Sequence, residues 1–398
     1  MSYWWQRIRK KAMNTSVCIN THEAANDYCS GEITYRLAIP DDNSVINSIL
    51  QQTPMDSWIS LSTEHEPDYF YSSNLFGHKE TIVARKTENA EVTVGMCSYT
   101  KMHVHINGAA VIAGYLGELR VVPEFRNRLH ILRNGFKSVK IFSKQKGNIF
   151  HWYTSVAKEN RVARRLLEAN IKGMPKYHPQ GEMLTFALPV KSGRIAANIQ
   201  PAQLSDIPEL VKFYNNQAKQ YQYSPVLTED WLKNVDGRYG LRLKDFYILK
   251  DGESIQACFA LWDQRNIKQT VVRGYRFPLN ILRQPYNIIA RLSGGVTLPS
   301  IGEKINYIFI AFLAVDEEIK TEYKKIISTA LSLITLRNAD LAMIGLSTKN
   351  PLVDELASFP KQSYYTCIEG VTWPADVATQ DVSKTSGTRI VQPEIAIL

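Results

Sequence analysis

The feature that most constrains this chain is a repeat: one order of elements is written twice along 398 residues. A turn over Arg36–Asp42 leads into a helix over Val45–Gln52, and Gln200–Asp206 leads in the same way into Ile207–Asn216. Strands expected over Thr81–Lys86 and Glu91–His105 are matched by Phe246–Lys250 and Ile255–Asp263. A long strand, Ala109–Val122, is matched by Ile305–Val315, with Leu313, Ala314 and Val315 standing where Leu119, Arg120 and Val121 stand. The helix that follows carries Leu129, Leu132, Phe136, Val139 and Phe142 on one face, and Tyr323–Leu336 is its counterpart. Strands and helices in this order bury their apolar faces in a mixed α/β sheet.

Two tandem domains are therefore expected, over 33–190 and 194–373, with Lys191–Arg194 as a linker. Residues 1–32 read as a basic, poorly ordered tail and 374–398 as a mobile one. The stretch from 53 to 75 reads as irregular and helical, Lys172–Gln180 as a loop, and Gly147-Asn148 as a helix stop. The second copy carries an extra segment, Tyr275–Gly295, read as a lid or a packing insertion.

The copies differ most at the turn between the long strand and its helix. In the first copy, Tyr115–Asn134, the strand reaches Val122, Pro123 marks the turn, and Arg126 and Arg128 precede the helix. The first N–H groups of a helix lack internal acceptors, and its dipole favours negative charge there. Arginines at that point add donors suited to phosphate oxygens. In the second copy the turn continues Asp316-Glu317-Glu318, which repels an anion.

The net charge of +9 suits an acidic partner: a phosphorylated cofactor, an acidic carrier protein, nucleic acid or an anionic membrane face. The absence of zinc-ligand spacing and of a dense Lys/Arg block argues against nucleic acid. Five scattered cysteines, with no CxxC pair, argue for a reducing compartment and against a disulfide framework or a metal site. The N-terminus lacks the apolar core of a signal peptide. The longest apolar run, Tyr307–Val315, is far shorter than the roughly 18 to 20 residues that span a bilayer. A cytoplasmic location is expected, with no transmembrane segment.

Two local motifs and their order resemble the GNAT superfamily of N-acetyltransferases. Val121-Val122-Pro123-Glu124-Phe125-Arg126 resembles the start of its acyl-CoA pyrophosphate signature, V-x-P-x-x-(R/Q)-x-x-G-x-(G/A). Asn160-Arg161-Val162-Ala163-Arg164-Arg165-Leu166-Leu167 is similar to its later helix motif, N-x-x-A-x-x-L-Y. With the repeat, the resemblance covers about Ile33 to Trp373 and looks like a tandem member. Leu129 and Ile131 stand where the superfamily has small residues, and Leu167 where many members have a tyrosine that protonates the departing thiolate.

The resemblance implies acyl transfer, acetyl or another acyl group, from acyl-CoA to an unidentified amine acceptor, with the first copy catalytic. It implies a cofactor site built from Leu119, Arg120, Val121, Arg126, Asn127, Arg128, Leu129, His130, Ile131 and Asn160. Asn160 is equally an N-cap, and the two roles are compatible. Glu118, beside the turn, is the candidate general base, or else a partner for Arg120. Tyr177, followed by His178, is the substitute acid, or else a surface aromatic flanked by prolines. Two alternatives stay open: a longer acyl chain or an acyl-carrier donor, suggested by Leu129, Ile131 and the basic charge, and a non-catalytic binding module. Asp263 and Arg265 either hold a hairpin together or line a groove between the copies.

Overall fold

The computed structural model describes residues 27–373 and 389–398, apart from 56, 146, 148, 236, 238 and 253. The first half runs β1 (Asp27–Ser30), β2 (Ile33–Leu37), α1 (Asn43–Gln52), β3 (Ile59–Glu64), β4 (His78–Lys86), β5 (Thr93–Ile106), β6 (Ala109–Val121), α2 (Leu129–Gln145), β7 (His151–Ala157), α3 (Arg161–Glu168) and β8 (Lys176–Pro189). The second half runs β9 (Ile199–Pro201), α4 (Ile207–Ala218), α5 (Glu229–Lys233), β10 (Phe246–Asp251), β11 (Ser254–Trp262), β12 (Gln269–Tyr275), α6 (Leu279–Ser293), β13 (Tyr307–Val315), α7 (Tyr323–Thr335), β14 (Leu341–Ser347), α8 (Leu352–Glu355) and β15 (Gln362–Thr372).

The repeat is visible in matched pieces. Each copy opens on a short 3-10 turn whose aspartate caps it: Asp42 accepts from the Ile39 N–H and Asp206 from the Gln203 N–H, both at 2.8 Å. Asp42 is buried and forked by Arg36 at 2.7 and 2.8 Å, with Arg85 also on it. Asp206 has Lys250 at 2.6 Å. Antiparallel strands follow in each copy. Asn107 and Gly108 take φ of 53° and 85°, as a two-residue turn between twisted strands requires.

The copies do not close separately. One 13-stranded sheet runs β1-β2-β4-β5-β6-β7-β15-β8-β14-β13-β11-β10-β9. Within it β6 pairs parallel with β7 and β13 with β14; the other neighbours are antiparallel. β15, from the second half, lies between β7 and β8 of the first, and β8 pairs with β14. The halves thus exchange their last strands, so the boundary expected at 190 to 194 separates sequence repeats but not sheets. The expected class, mixed α/β with a repeated unit, is the one observed.

Three apolar clusters fill the molecule. One packs α1 and α2 on the first half around Tyr35, Ile82, Phe142 and Trp152. A second packs α7 on the other half around Phe259, Ile308, Ile326 and Ile344. The third spans both halves, from Met102 and Tyr153 to Trp262 and Phe312.

Several expectations are corrected. The stretch after α1 includes a strand, β3, because β12 of the distant second half supplies its partner. Lys172–Gln180 is not all loop: β8 begins at Lys176, paired with Thr372. Asp27–Ser30, assigned to the tail, form β1 against β2, while residues 1–26 lie outside the described residues. The extra segment forms α6. Asn148 of the expected helix stop lies outside the described residues, as do residues 374–388. The final stretch is no mobile tail: Val391 and Ala396 are buried, and Gln264 Nε2 donates to the Ala396 carbonyl at 2.7 Å.

Candidate active site

The strand before the key turn does not run straight. Met96 faces Arg120 and Ser98 faces Gly117, so Glu118 and Leu119 oppose Cys97 alone, forming a β-bulge. Glu118 takes φ +51°, a left-handed conformation rare for a residue with a side chain. Such strain clusters at functional sites. Pairing of β6 with β7 ends at Leu116–Thr154, where the Thr154 hydroxyl donates to the Leu116 carbonyl at 2.7 Å. Beyond it β6 continues to Val121 and β7 to Ala157 with no rungs between them.

The turn follows directly. Pro123–Phe125 form one 3-10 turn, and α2 begins at Leu129. The Ile131 N–H closes the first bond, to the Arg128 carbonyl at 3.0 Å. Asn127, Leu129 and His130 stand exposed at the helix entrance. Arg126 is anchored by Nε to the Val121 carbonyl at 3.1 Å. Arg128 lies over the Phe125 ring and pairs with Glu32 at 2.9 Å. Arg120 donates to the Leu119 carbonyl at 3.0 Å, while its buried Nε has no partner among the described residues. A buried, unpartnered guanidinium nitrogen is suited to an anion, and the titratable groups acting on Arg120 are Glu118, Tyr115 and Tyr69.

The two departures from the motif have different fates. Ile131 is buried in the α2 cluster, and its carbonyl accepts from the Tyr35 hydroxyl at 3.0 Å. Leu129, in phase with the Leu132–Phe136–Val139 stripe, is nonetheless 45% exposed because it is the first residue of α2, at the open end beside the turn. Asn160 caps α3, its Oδ1 accepting from the Ala163 N–H at 3.1 Å.

Glu118 is not the free base that the motif implied. Lys79 Nζ lies 2.8 Å from its carboxylate and His65 Nε2 3.3 Å, and the Tyr69 hydroxyl donates to it. Burial pushes this carboxyl up, but Lys79 and His65 outweigh it and hold it well below the usual carboxylate range. A carboxylate so held is a weak proton acceptor. Lys79 comes from β4 and Tyr69 from a 3-10 turn, while His65 comes from the β3–β12 ribbon: Glu64 pairs with Gln269, so His65 and Lys268 leave the same end of it. Arg273 bonds Glu64 across that ribbon, Nε donating to Oε1 at 3.1 Å. Burial, reinforced by Lys79 and Lys268, lowers His65 below its ordinary value. Burial and then Lys79 push Lys268 down to about 8.

Tyr177 lies on β8, partly buried, its ring 6.4 Å from that of Phe136. It is within electrostatic range of Cys97, the residue facing the bulge, and burial holds its phenol above the ordinary value. His178 pairs with the Thr372 hydroxyl at 2.9 Å.

The second copy repeats the bulge. Phe312 and Leu313 oppose Phe259, and Phe312 also takes φ +51°. Parallel pairing of β13 with β14 ends at Phe309–Met343. Here the chain occupies its own cleft. Glu394 accepts from the Phe312 N–H at 2.8 Å, Gln392 bonds the Gly345 carbonyl and the Ser347 N–H at 2.9 and 2.7 Å, and Ile395 lies against Gly345. A shallow cleft remains, lined among others by Tyr214, Leu313, Tyr323 and Gln392. Its turn is acidic: Asp316 caps itself on the Glu318 N–H at 3.0 Å and Glu317 pairs with Lys320 at 3.0 Å. Asp263 and Arg265 pair at 2.6 Å and brace Asn306 and the Arg337 and Asn338 carbonyls. The pair therefore ties the end of β11 to the loops beside β13 and β14.

No protein-family model matches the chain, and no curated protein does. Solved structures do. The Saccharomyces cerevisiae N-myristoyltransferase with bound myristoyl-CoA aligns over 93% of this chain and 87% of its own, at 12% identity and a TM-score of 0.60. A second structure of that enzyme with myristoyl-CoA aligns over 87% and 84%, at 12% and 0.58. A third, with myristoyl-CoA and inhibitors, aligns over 92% and 87%, at 11% and 0.57. At such identity the likeness is one of fold, and it spans both halves: this chain has the tandem GNAT-like α/β fold of those N-myristoyltransferase structures.

Proposed function

We propose that the chain is an acyl-CoA-dependent N-acyltransferase whose reaction takes place at the β6 bulge of the first half. The observation that carries this reading is the pair of bulges. In the second half a carboxylate oxygen sits on the bulge N–H. By the same register and the same φ, the Glu118 N–H of the first half faces away from β5 and serves the thioester oxygen. A fixed backbone donor at that point stabilises the charge that develops there as the acceptor nitrogen adds.

The pyrophosphate is held at the turn. Arg126, Arg128 and His130 supply side chains, the first N–H groups of α2 supply backbone donors, and Arg120 Nε supplies a buried one. Asn160 and the diverging edge of β7 take the pantetheine arm. The C–N bond forms as the C–S bond breaks, the amine proton leaves to a base, and the thiolate departs. Lys268, held down to about 8 by burial and donating to the Leu398 carbonyl, is assigned as the acceptor of that proton in place of the strongly ionised Glu118. The ionised Glu118 instead holds Tyr69, Lys79 and His65 around the bulge. Tyr177, kept protonated, offers a hydrogen bond to the departing sulfur. The structural neighbours bind a long-chain thioester, so a long acyl group takes precedence over acetyl as donor. The acidic second turn opposes an anion, so the first half is taken as the pyrophosphate site.

Calorimetric titration with myristoyl-CoA and acetyl-CoA tests this reading. The chain binds a CoA thioester, and Arg126→Ala weakens binding by about 1.5–3 kcal/mol through loss of a charge-assisted phosphate contact. Binding of neither thioester, or unchanged affinity in the variant, removes the turn as the site.

A further inference from the structure

Helix α6 is amphipathic in the wrong sense for a helix of the core. Its inward face is made of Arg283, Tyr286, Asn287 and Ala290, and its outward face of Ile281, Leu282, Pro285, Ile288, Ile289 and Leu292. Ile281 and Ile289 are each 66% exposed and Leu292 is 85% exposed. On a 3.6-residue period those apolar positions form one stripe opposite the packed face. The reversal is built, not accidental. Asn287 is buried and clamps Leu298, donating to its carbonyl at 2.8 Å and accepting from its N–H at 2.7 Å. Arg283 reaches the Ser300 hydroxyl at 3.3 Å, and Gly294, at φ +68°, ends the helix beside Lys191. These polar contacts fix the helix with its apolar stripe outward.

The surroundings extend that face. Phe277, at the helix start, is 74% exposed, and the Arg276 N–H donates to the carbonyl of the exposed Trp58 at 3.0 Å. The charged residues of α6 itself are Arg283 and Arg291, with Arg276 just before it, and the nearby carboxylate is Glu303, which accepts from the Ser300 N–H at 2.6 Å. An exposed apolar stripe of this size, with aromatic residues at one end and arginines as the charged residues of the helix itself, matches an interfacial helix more closely than a protein-binding one.

We propose that α6 is a membrane-docking helix: its Ile281–Leu292 stripe enters the headgroup layer of an anionic lipid surface, with Trp58 and Phe277 at the same boundary and Arg291 on lipid phosphate. The inference is independent of the acyl-transfer reading, since α6 carries none of the residues assigned to that site.

The test is sedimentation of the full chain with phosphatidylcholine vesicles, with and without 30% phosphatidylserine. The wild type pellets with the anionic vesicles, several-fold less with neutral ones, and less as salt screens the arginines. Ile288→Glu combined with Leu292→Glu lowers the bound fraction at least tenfold at an unchanged melting temperature. Leu204→Glu, an equally exposed apolar site outside this face, leaves it unaltered. A dye on Leu292→Cys shifts to the blue on adding anionic vesicles. Failure to bind either vesicle, or equal binding by the double variant, overturns the proposal. So does concentration-dependent self-association that the double variant abolishes without any vesicle binding, which would make the face an interface between copies.

Discussion

The two halves carry the same bulge at the same φ and put it to different use. In the first, Glu118 at the bulge is surrounded by Lys79, His65 and Tyr69, and the strand runs into a basic turn. In the second, Phe312 at the bulge is buried, its N–H is taken by Glu394, and the turn is acidic. Backbone geometry is therefore the shared inheritance of the repeat; what differs is the charge at the turn and the Gln392–Ile395 stretch that fills the second cleft. Glu394 shows the principle. Burial pushes it up to about 7, yet the N–H groups of Ala396, Phe312 and Ile395 still favour its anion. A bulge N–H is a place where oxygen charge can rest.

The comparison can be broken first at the anchor that opens each copy. Asp42→Ala strands two arginines and a backbone N–H around a buried site, and a cost of about 3–5 kcal/mol is expected in chemical denaturation. Asp206→Ala strands one more exposed lysine and an N–H, and about 1–2 kcal/mol is expected. Equal losses would mean that the copies are held alike and that the guanidinium fork adds nothing.

A smaller effect separates the bulges chemically. With Lys268 as proton acceptor, kcat/KM rises with pH and levels above about 8, where its amine is neutral. Lys268→Met is expected to lower kcat about a hundredfold and to remove that inflection. A variant that keeps the inflection places the base elsewhere, with Glu118 the next candidate despite its depressed ionisation.

How much of this was legible in the sequence follows the range of the contacts. The turn, the Asn160 cap and the Asp263–Arg265 pair are local, and residues within a few positions of one another specify them. The bulge itself left no mark, because Glu118 and Phe312 share a conformation and no chemistry. His65, Lys79 and Lys268 carry no motif either. Lys79 reaches Glu118 across the β4–β5–β6 strands, and His65 and Lys268 share one end of a ribbon because β3 pairs with β12, about two hundred residues along the chain. The exchange of β8 and β15 was hidden for a similar reason: an apolar strand fits beside either neighbour, and nothing local chooses between them. Leu129 keeps the phase of its stripe but is the first residue of α2, and helix ends are where periodicity says least about burial.

The claim that one copy receives the thioester is tested most directly by amide hydrogen exchange with and without saturating myristoyl-CoA. Protection is expected across Glu118–Arg133 and the diverging end of β7, with Phe312–Tyr323 unchanged. Protection confined to the second turn, or equal protection of both, would contradict the account.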